Sequence, residues 1–227
     1  MKIGIITAMR SEEAQIKKLL SEASEERRGP FRYTTGCIGR NEIILTQCGI
    51  GKVNAAAGAV ELIHNFHPES IISTGVAGGI DESLDVMDVV ASTQIVHHDV
   101  WCGEGNAWGQ VQGLPEKFAG DKRLLETALN LDTESRVVGG LICSGDQFIT
   151  DGERLRGIKK NFPEGMAVDM ESASIAQVCH LYNTPFISFR IISDTPGATK
   201  NWEQYNDFWK TIADKSFGVT RALLEHL

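Results

Sequence analysis

The feature that most limits how this chain can fold is its alternation between short β-branched runs and longer helical patterns. The first run, KIGIITAM, precedes a predicted helix over about 11–20, with Ser11 as the expected N-cap. The runs FRYTTGCIG and EIILTQCG are joined by a short GRN turn and predict a hairpin. Because later strands alternate with helices, the pattern favours an α/β fold whose largely parallel sheet is flanked by helices and carries one antiparallel hairpin.

The other elements follow the same alternation. KVNAAAGAVELIHNF predicts a helix, and SIISTGVAGGI predicts a strand that ends in a Gly-rich turn. Further strands are predicted in DVVASTQIV, RVVGGLICSG, MAVDM and PFISFRIISD, with helices near 121–130, 152–161 and 171–182 and a long amphipathic helix from Asn201. Segment 99–114 is dense in Gly and aromatic residues without periodicity, which predicts a long surface loop.

Composition restricts the class of protein. At 227 residues, we expect a single domain over 1–227. The net charge is −8 and no block of Lys or Arg occurs, which disfavours nucleic acid as a partner. No run is long enough to span a membrane. The five cysteines are scattered without a CxxC pair, as is typical of free thiols in a reducing compartment, so we expect a cytoplasmic protein.

Familiar cofactor and nucleophile motifs do not fit. GIGKVN has Asn54 where a dinucleotide fingerprint needs Gly, and it lacks the upstream Gly and the following Ser or Thr of a P-loop. The HHD triplet at 97–99 matches no standard zinc spacing, and no GxSxG is present. We therefore expect no cofactor and no metal.

Carboxylates recur where predicted strands end. Glu12, Asp169, Glu171 and Asp194 each follow such a strand, and ligands of open α/β sheets bind outside the carboxyl ends of strands. Taken one at a time, each could be a helix cap or a solvated end. Together they indicate acid–base chemistry, such as displacement at a sugar anomeric carbon, which needs one group to protonate the leaving group and another to activate water.

Several motifs, in order and spacing, resemble the methylthioadenosine/S-adenosylhomocysteine nucleosidases of the nucleoside phosphorylase superfamily. They are IGIITAM followed by Glu12, CGIGKVNAA, STGVAGG, SGDQFI, AVDMESA and ISD. The resemblance implies a three-layer α/β/α sandwich with a mixed central sheet, a homodimer, and metal-free hydrolysis of the N-glycosidic bond of adenine thionucleosides.

The resemblance also implies roles for individual residues. Asp194 would donate a proton toward N7 of the departing adenine, Ser193 would orient it, and Glu12 would activate water. Glu171 would bind the ribose hydroxyls, whereas Asp169 would cap the helix or support the site from behind. The other expected substrate-binding residues are Met170 against the sugar, Phe148 and Ile149 at the purine, Phe208 closing over the sugar, and Met9, Ile50, Val76, Ala77, Gly78 and Val168.

Three alternatives stay open at this point. A purine nucleoside phosphorylase would need cations for phosphate, yet no Arg or Lys occurs from Val76 to Val96. A futalosine-type nucleoside is a second possible substrate. A non-catalytic nucleoside-binding protein would not need both Glu12 and Asp194.

The loop 99–114, which in the family helps complete the neighbouring subunit's 5′-substituent pocket, is rich here in Trp, Cys and Gly. The sequence therefore does not determine the preferred 5′ group.

Overall fold

The computed structural model of the chain describes residues 1–195, 201–211 and 217–227. The strands are β1 (Lys2–Thr7), β2 (Ser21–Arg28), β3 (Phe31–Ile38), β4 (Asn41–Gln47), β5 (Ser70–Gly79), β6 (Val89–His97), β7 (Phe118–Ala119), β8 (Val137–Ser144), β9 (Gly165–Asp169) and β10 (Phe186–Asp194). The helices are α1 (Arg10–Lys17), α2 (Lys52–Phe66), α3 (Lys122–Leu129), α4 (Gly152–Asn161), α5 (Ser172–Leu181), α6 (Asn201–Thr211) and α7 (Gly218–His226).

The strands form one mixed sheet in the order β10-β6-β8-β9-β5-β1-β4-β3-β2, with β7 paired to β6. Strand β1 lies parallel to both β4 and β5. Strand β10 pairs with β5 on one side and with β6 on the other, so the half of the sheet that contains β5, β6, β8, β9 and β10 curls back on itself. The predicted mixed α/β sheet is confirmed.

Alternating residues of β1 pack into different hydrophobic cores on the two faces of the sheet. Ile3 and Ile5 of β1 pack with α1, α3, α6 and α7 on one face. Ile6 packs with α2 and α5 on the other. This period of two is the side-chain alternation of a strand that is buried on both faces, and it produces the three layers expected from the resemblance.

Some local predictions were wrong. Helix α1 begins at Arg10 with Met9 as its N-cap residue, not Ser11, because the carboxylate of Glu12 accepts the Met9 N–H. The stretch Gly75–Gly79 continues β5 instead of forming a turn, since Gly78 and Gly79 pair with β9. Strand β2 was missed because its sequence, SEASEERR, is polar and mostly exposed at the sheet edge. Antiparallel pairs also extend beyond the predicted hairpin, to β6 with β10 and β5 with β9.

The other predicted elements agree with the structure. Helices α2 and α4 and the hairpin of β3 and β4 have the expected positions, and 99–114 contains neither helix nor strand. Of the long C-terminal helix predicted from Asn201, the structure describes α6 and α7, and residues 212–216 between them lie outside the described part of the chain. None of the described helices is long and apolar enough to cross a membrane.

Candidate active site

A cavity opens where β1, β5, β9 and β10 end. The space between its walls, including the open mouth, is about 650 Å³. The cavity brings together these expected residues: Met9, Glu12, Ile50, Val76, Ala77, Gly78, Phe148, Ile149, Val168, Asp169, Met170, Glu171, Ser193 and Asp194. Ala8, Gln147 and Tyr205 also line the cavity, although no sequence pattern indicated them.

Glu12, on the first turn of α1, is fixed by three backbone N–H groups. Its Oε2 accepts from Ala8 N and Met9 N at 2.9 Å each, and its Oε1 accepts from Val76 N at 3.0 Å. Burial raises the pKa of Glu12, while Arg190 and these N–H groups act in the opposite direction. These hydrogen bonds therefore fix the orientation of the side chain. Burial favours its protonated form, whereas Arg190 and the N–H groups favour its ionised form.

The close approach of Glu12 to β5 requires a glycine. A Cβ at Gly75 would lie 2.2 Å from Glu12 Oε1 and 2.8 Å from Arg190 Nη1. The first distance is far below van der Waals contact, so no other residue fits without moving the carboxylate. The glycine of STGVAGG thus makes room for a side chain of the site.

Asp194 ends β10 and is 7% exposed. The hydroxyl of Ser193 lies 2.8 Å from Asp194 Oδ1 and 3.2 Å from the carbonyl oxygen of Ala77, either of which can accept its proton. Gly78 lies beside the same carboxyl group, since a Cβ there would be 3.4 Å from Asp194 Oδ2. Asp194, at the end of β10, and Glu12, on α1, face the same cavity.

Glu171 lies between β9 and α5. Its Oε1 accepts the Gly51 N–H at 2.9 Å. Burial, and then the neighbouring Asp169, raise the pKa of Glu171 to about 7. This carboxyl group is poised to change charge near neutral pH.

Arg190 is the principal residue that the sequence analysis missed. It is 1% exposed, and its Nε lies 2.8 Å from Asp169 Oδ2. Its Nη2 donates to Ser73 Oγ at 2.8 Å and to Ser172 Oγ at 3.1 Å. The available signal was an arginine within the otherwise apolar strand FISFRII, because a charge in such a strand is rarely tolerated without a partner.

Asp169 lies in the cavity wall but directs its hydrogen bonds behind it. Besides its ion pair with Arg190, it accepts the Ser172 N–H at 3.3 Å and the Ser172 hydroxyl. Arg190 in turn lowers the energy of ionised Asp169, Glu171 and Glu12, all of which interact with it electrostatically. The buried guanidinium group thus interacts favourably with three carboxylates of the site.

The aromatic side chains of the site differ from the expectation at one position. Phe148, 48% exposed, meets Tyr205 edge-on with ring centroids 5.6 Å apart. The Tyr205 hydroxyl points to Met9 Sδ at 3.4 Å. Phe208, expected over the sugar, instead lies 1% exposed in the core between the sheet and α7. Tyr205, three residues earlier on α6, lines the cavity instead.

The arrangement suits acid–base chemistry on an uncharged, flat ligand. It combines two buried carboxyl groups, Glu12 on α1 and Asp194 at the end of β10, with apolar walls. Among the described residues that line the cavity, none is Lys or Arg. The HHD triplet is engaged elsewhere, with His97 bonded to Gln177 and Asp99 paired with Lys52.

The chain falls into a known protein superfamily. A profile of the phosphorylase superfamily matches residues 2–225. A 5′-methylthioadenosine/S-adenosylhomocysteine nucleosidase of Desulfotalea psychrophila is 41% identical over 230 residues, covering all of this chain and 98% of that protein. The nucleosidase of the same name from Lysinibacillus sphaericus is 42% identical over 223 residues, covering 96% of each chain.

Solved structures agree with these sequence relatives. The Neisseria meningitidis nucleosidase in complex with methylthio-immucillin-A superposes with a TM-score of 0.92 at 37% identity, covering 100% of this chain and 99% of that one. The Colwellia psychrerythraea nucleosidase in complex with adenine superposes with a TM-score of 0.93 at 34% identity, and the match covers 100% of this chain and 96% of that one. This chain therefore belongs to the 5′-methylthioadenosine/S-adenosylhomocysteine nucleosidase family.

Proposed function

We propose that this protein hydrolyses the N-glycosidic bond of the adenine thionucleosides 5′-methylthioadenosine and S-adenosylhomocysteine, and that of 5′-deoxyadenosine, to adenine and the 5-substituted ribose. The observation that carries the proposal is that Glu12 and Asp194, from opposite ends of the chain, face one cavity. The family membership and the ligands of its solved relatives, an adenine and a transition-state analogue, support the same substrates.

In the proposed mechanism, Asp194 acts as the acid. Its protonated carboxyl group, held by the Ser193 hydroxyl, gives a proton to N7 of adenine as the bond between C1′ and N9 breaks. Adenine is a poor leaving group as an anion, so a positioned acid contributes roughly 10²–10⁴-fold. Adenine leaves neutral, and Asp194 is left ionised until solvent returns its proton.

Glu12 acts as the base in this scheme. It accepts a proton from a water molecule whose oxygen attacks C1′, completing the sugar product. Ionised Glu171 accepts hydrogen bonds from the ribose hydroxyls, which are stronger than neutral ones, and its charge steadies the oxocarbenium-like transition state. Phe148 stacks on the purine, Ile149 reads the purine edge through its backbone, and Met170 and the other apolar wall residues exclude bulk water.

The lining of the cavity favours water over phosphate as nucleophile. Phosphate binding normally uses arginine or lysine, and the described lining has neither. Arg190 is already paired with Asp169 and enclosed by serines.

The test is to incubate purified protein with 5′-methylthioadenosine and follow adenine release with and without phosphate. We expect equal rates in both buffers and a free reducing sugar as the second product. Strict phosphate dependence, with a sugar 1-phosphate product, would indicate a phosphorylase. Exclusive turnover of 6-amino-6-deoxyfutalosine in a substrate panel would indicate the futalosine-type activity instead.

We also propose that residues 1–227 act as one domain and that the chain works as a cytoplasmic homodimer. The continuous sheet supports the first point, and five unpaired thiols suit a reducing compartment. Large apolar side chains are exposed on α2, α5 and the loop 99–114, where Trp101 and Trp108 stack at 5.4 Å. Such exposed groups mark interaction sites when they cluster.

A further inference from the structure

The first two N–H groups at the start of α2 hold two different carboxylates. Gly51 N donates to Glu171 Oε1 at 2.9 Å, and the next amide, Lys52 N, donates to Asp146 Oδ1 at 2.8 Å. Glu171 is the proposed ribose ligand, and Asp146 belongs to the loop that carries Phe148. One helix end therefore touches both the sugar side and the purine side of the cavity.

Asp146 is held a second time by Asp99. The Oδ2 atom of Asp99 accepts the Asp146 N–H at 3.0 Å, while its Oδ1 forms an ion pair with the Lys52 ammonium group. The side chains of Lys52 and Asp99 are only 22% and 18% exposed. Partial burial makes this pair less screened by solvent than a surface pair.

Two glycines allow the three segments to approach this closely. A Cβ at Gly145 would lie 2.5 Å from His98 Nε2 and 2.8 Å from Asp99 Cγ. A Cβ at Gly51, whose φ is +92°, would lie 2.9 Å from Asp146 Oδ1. The purine loop is thus packed directly against residues 98–99 and the start of α2.

We infer that Lys52, Asp99 and Asp146 form a positioning network that fixes the purine-contacting loop relative to Glu171, and so sets the spacing between the purine and ribose subsites. None of the three lines the described cavity, so they act through Phe148 and Glu171 and not on the substrate. The inference rests on the proposed function, since it assumes that the loop receives adenine.

The test compares adenine binding in four variants by calorimetry, alongside steady-state kinetics with 5′-methylthioadenosine. Asp146→Ala removes the acceptor for Lys52 N, and we expect adenine to bind about tenfold or more weakly, because small misplacements of positioning groups are costly. KM should rise more than kcat falls. Asp146→Asn keeps an oxygen at this position and should restore most of the affinity.

Asp151→Ala is the matched control. Asp151 accepts the Arg154 N–H at 2.8 Å as the N-cap of α4 and has no part in the network. It should lower stability without changing adenine affinity. Lys52→Met leaves the backbone amide in place and removes only the ammonium group, so it provides a milder variant if Asp146→Ala does not fold.

The outcomes separate the inference from the proposed function. If the wild-type protein releases no adenine from any thionucleoside, the proposed function fails. If the wild type is active and both Asp146→Ala and Lys52→Met bind adenine as tightly as Asp151→Ala, the network has no positioning role. The pH profile of kcat should be unchanged in these variants, and a displaced profile would show that the network acts on the acid or base instead.

Discussion

The proposed acid, Asp194, and the proposed base, Glu12, have unlike surroundings. Glu12 accepts three backbone N–H groups, whereas Asp194 has a neighbouring hydroxyl and lies beside a glycine. N–H donors favour an ionised carboxylate, and a hydroxyl can interact with either form of a carboxyl group. Burial nevertheless raises the pKa of Glu12, so its carboxylate can receive a proton, as the proposed role of base requires.

Replacing Asp194 with Asn should abolish most turnover while leaving binding largely intact. The amide has nearly the same shape but no proton to transfer to N7, so kcat should fall by roughly 10²–10⁴-fold. Adenine release gives the rate, and calorimetry with a non-hydrolysable nucleoside analogue gives the affinity. Ser193→Ala, which removes only the orienting hydroxyl, should cost less. Near-normal rates in Asp194→Asn would show that the acid lies elsewhere.

Glu171 should make the ligand-free protein less stable as the pH rises through neutrality. Burial raises its pKa from 4.5 to about 7 in the folded state, so the folded chain binds the proton more tightly than the unfolded chain. That stabilisation is full below about pH 4.5 and is lost as the pH passes 7.

Glu171→Gln removes this pH dependence. Between pH 4.5 and pH 8, the free energy of unfolding of the variant should improve relative to wild type by roughly 3 kcal/mol. Chemical denaturation of both proteins across this range measures the difference. Parallel stability curves would contradict the assigned pKa shift. The variant should also bind nucleosides poorly, because a neutral amide replaces the charged acceptor for the ribose hydroxyls.

At the scale of elements, the site depends on how closely β5 approaches α1. Gly75→Ala would place a methyl group 2.2 Å from Glu12 Oε1, and the carboxylate would have to leave its three N–H donors. We expect kcat to fall by about 10²-fold or more. Gly157→Ala is the control, because a Cβ within α4 meets nothing within 4 Å and should stabilise the protein by about 0.5–1 kcal/mol. Equal activity of the two variants would show that the position of Glu12 does not depend on the space left by Gly75.

Strand β10 is linked to β5, β9 and α5 through Arg190. Replacing it with Met would leave Asp169, Glu171 and Glu12 without their buried cation, so the free energy of unfolding should fall by about 3–5 kcal/mol. Arg136→Met removes a half-exposed arginine from its pair with Asp88 and should cost about 1 kcal/mol or less. Equilibrium denaturation at pH 8 measures the free energy of unfolding of both variants. Similar losses would show that the buried Arg190 pair contributes no more to stability than the half-exposed Arg136 pair.

At the scale of the whole molecule, the proposed dimer can be tested through its exposed apolar side chains. Val53, on α2, is 80% exposed. Val53→Glu would bury a charge in an interface, so we expect wild type to sediment as a dimer and the variant largely as a monomer. Leu129→Glu on α3, across the sheet from α2, should leave the dimer unchanged. A monomeric wild type would contradict the proposed assembly.

The sequence by itself determined the alternation of strands and helices, the family, and the residues gathered at the strand ends. Residue patterning suffices for these because periodicity reports which faces are buried, and motifs such as SGDQFI and AVDMESA are local in the chain. Helix α2 and helix α4 were predicted at their observed bounds for this reason.

Only the tertiary structure decided which side chains meet. It decided that Arg190 compensates Asp169 from another strand, that Tyr205 and not Phe208 reaches the cavity, and that β10 closes onto both β5 and β6. These are contacts between residues far apart in the chain, and their energies depend on distance and burial. Neither quantity is encoded in the period of a single segment, so no local pattern could have predicted them.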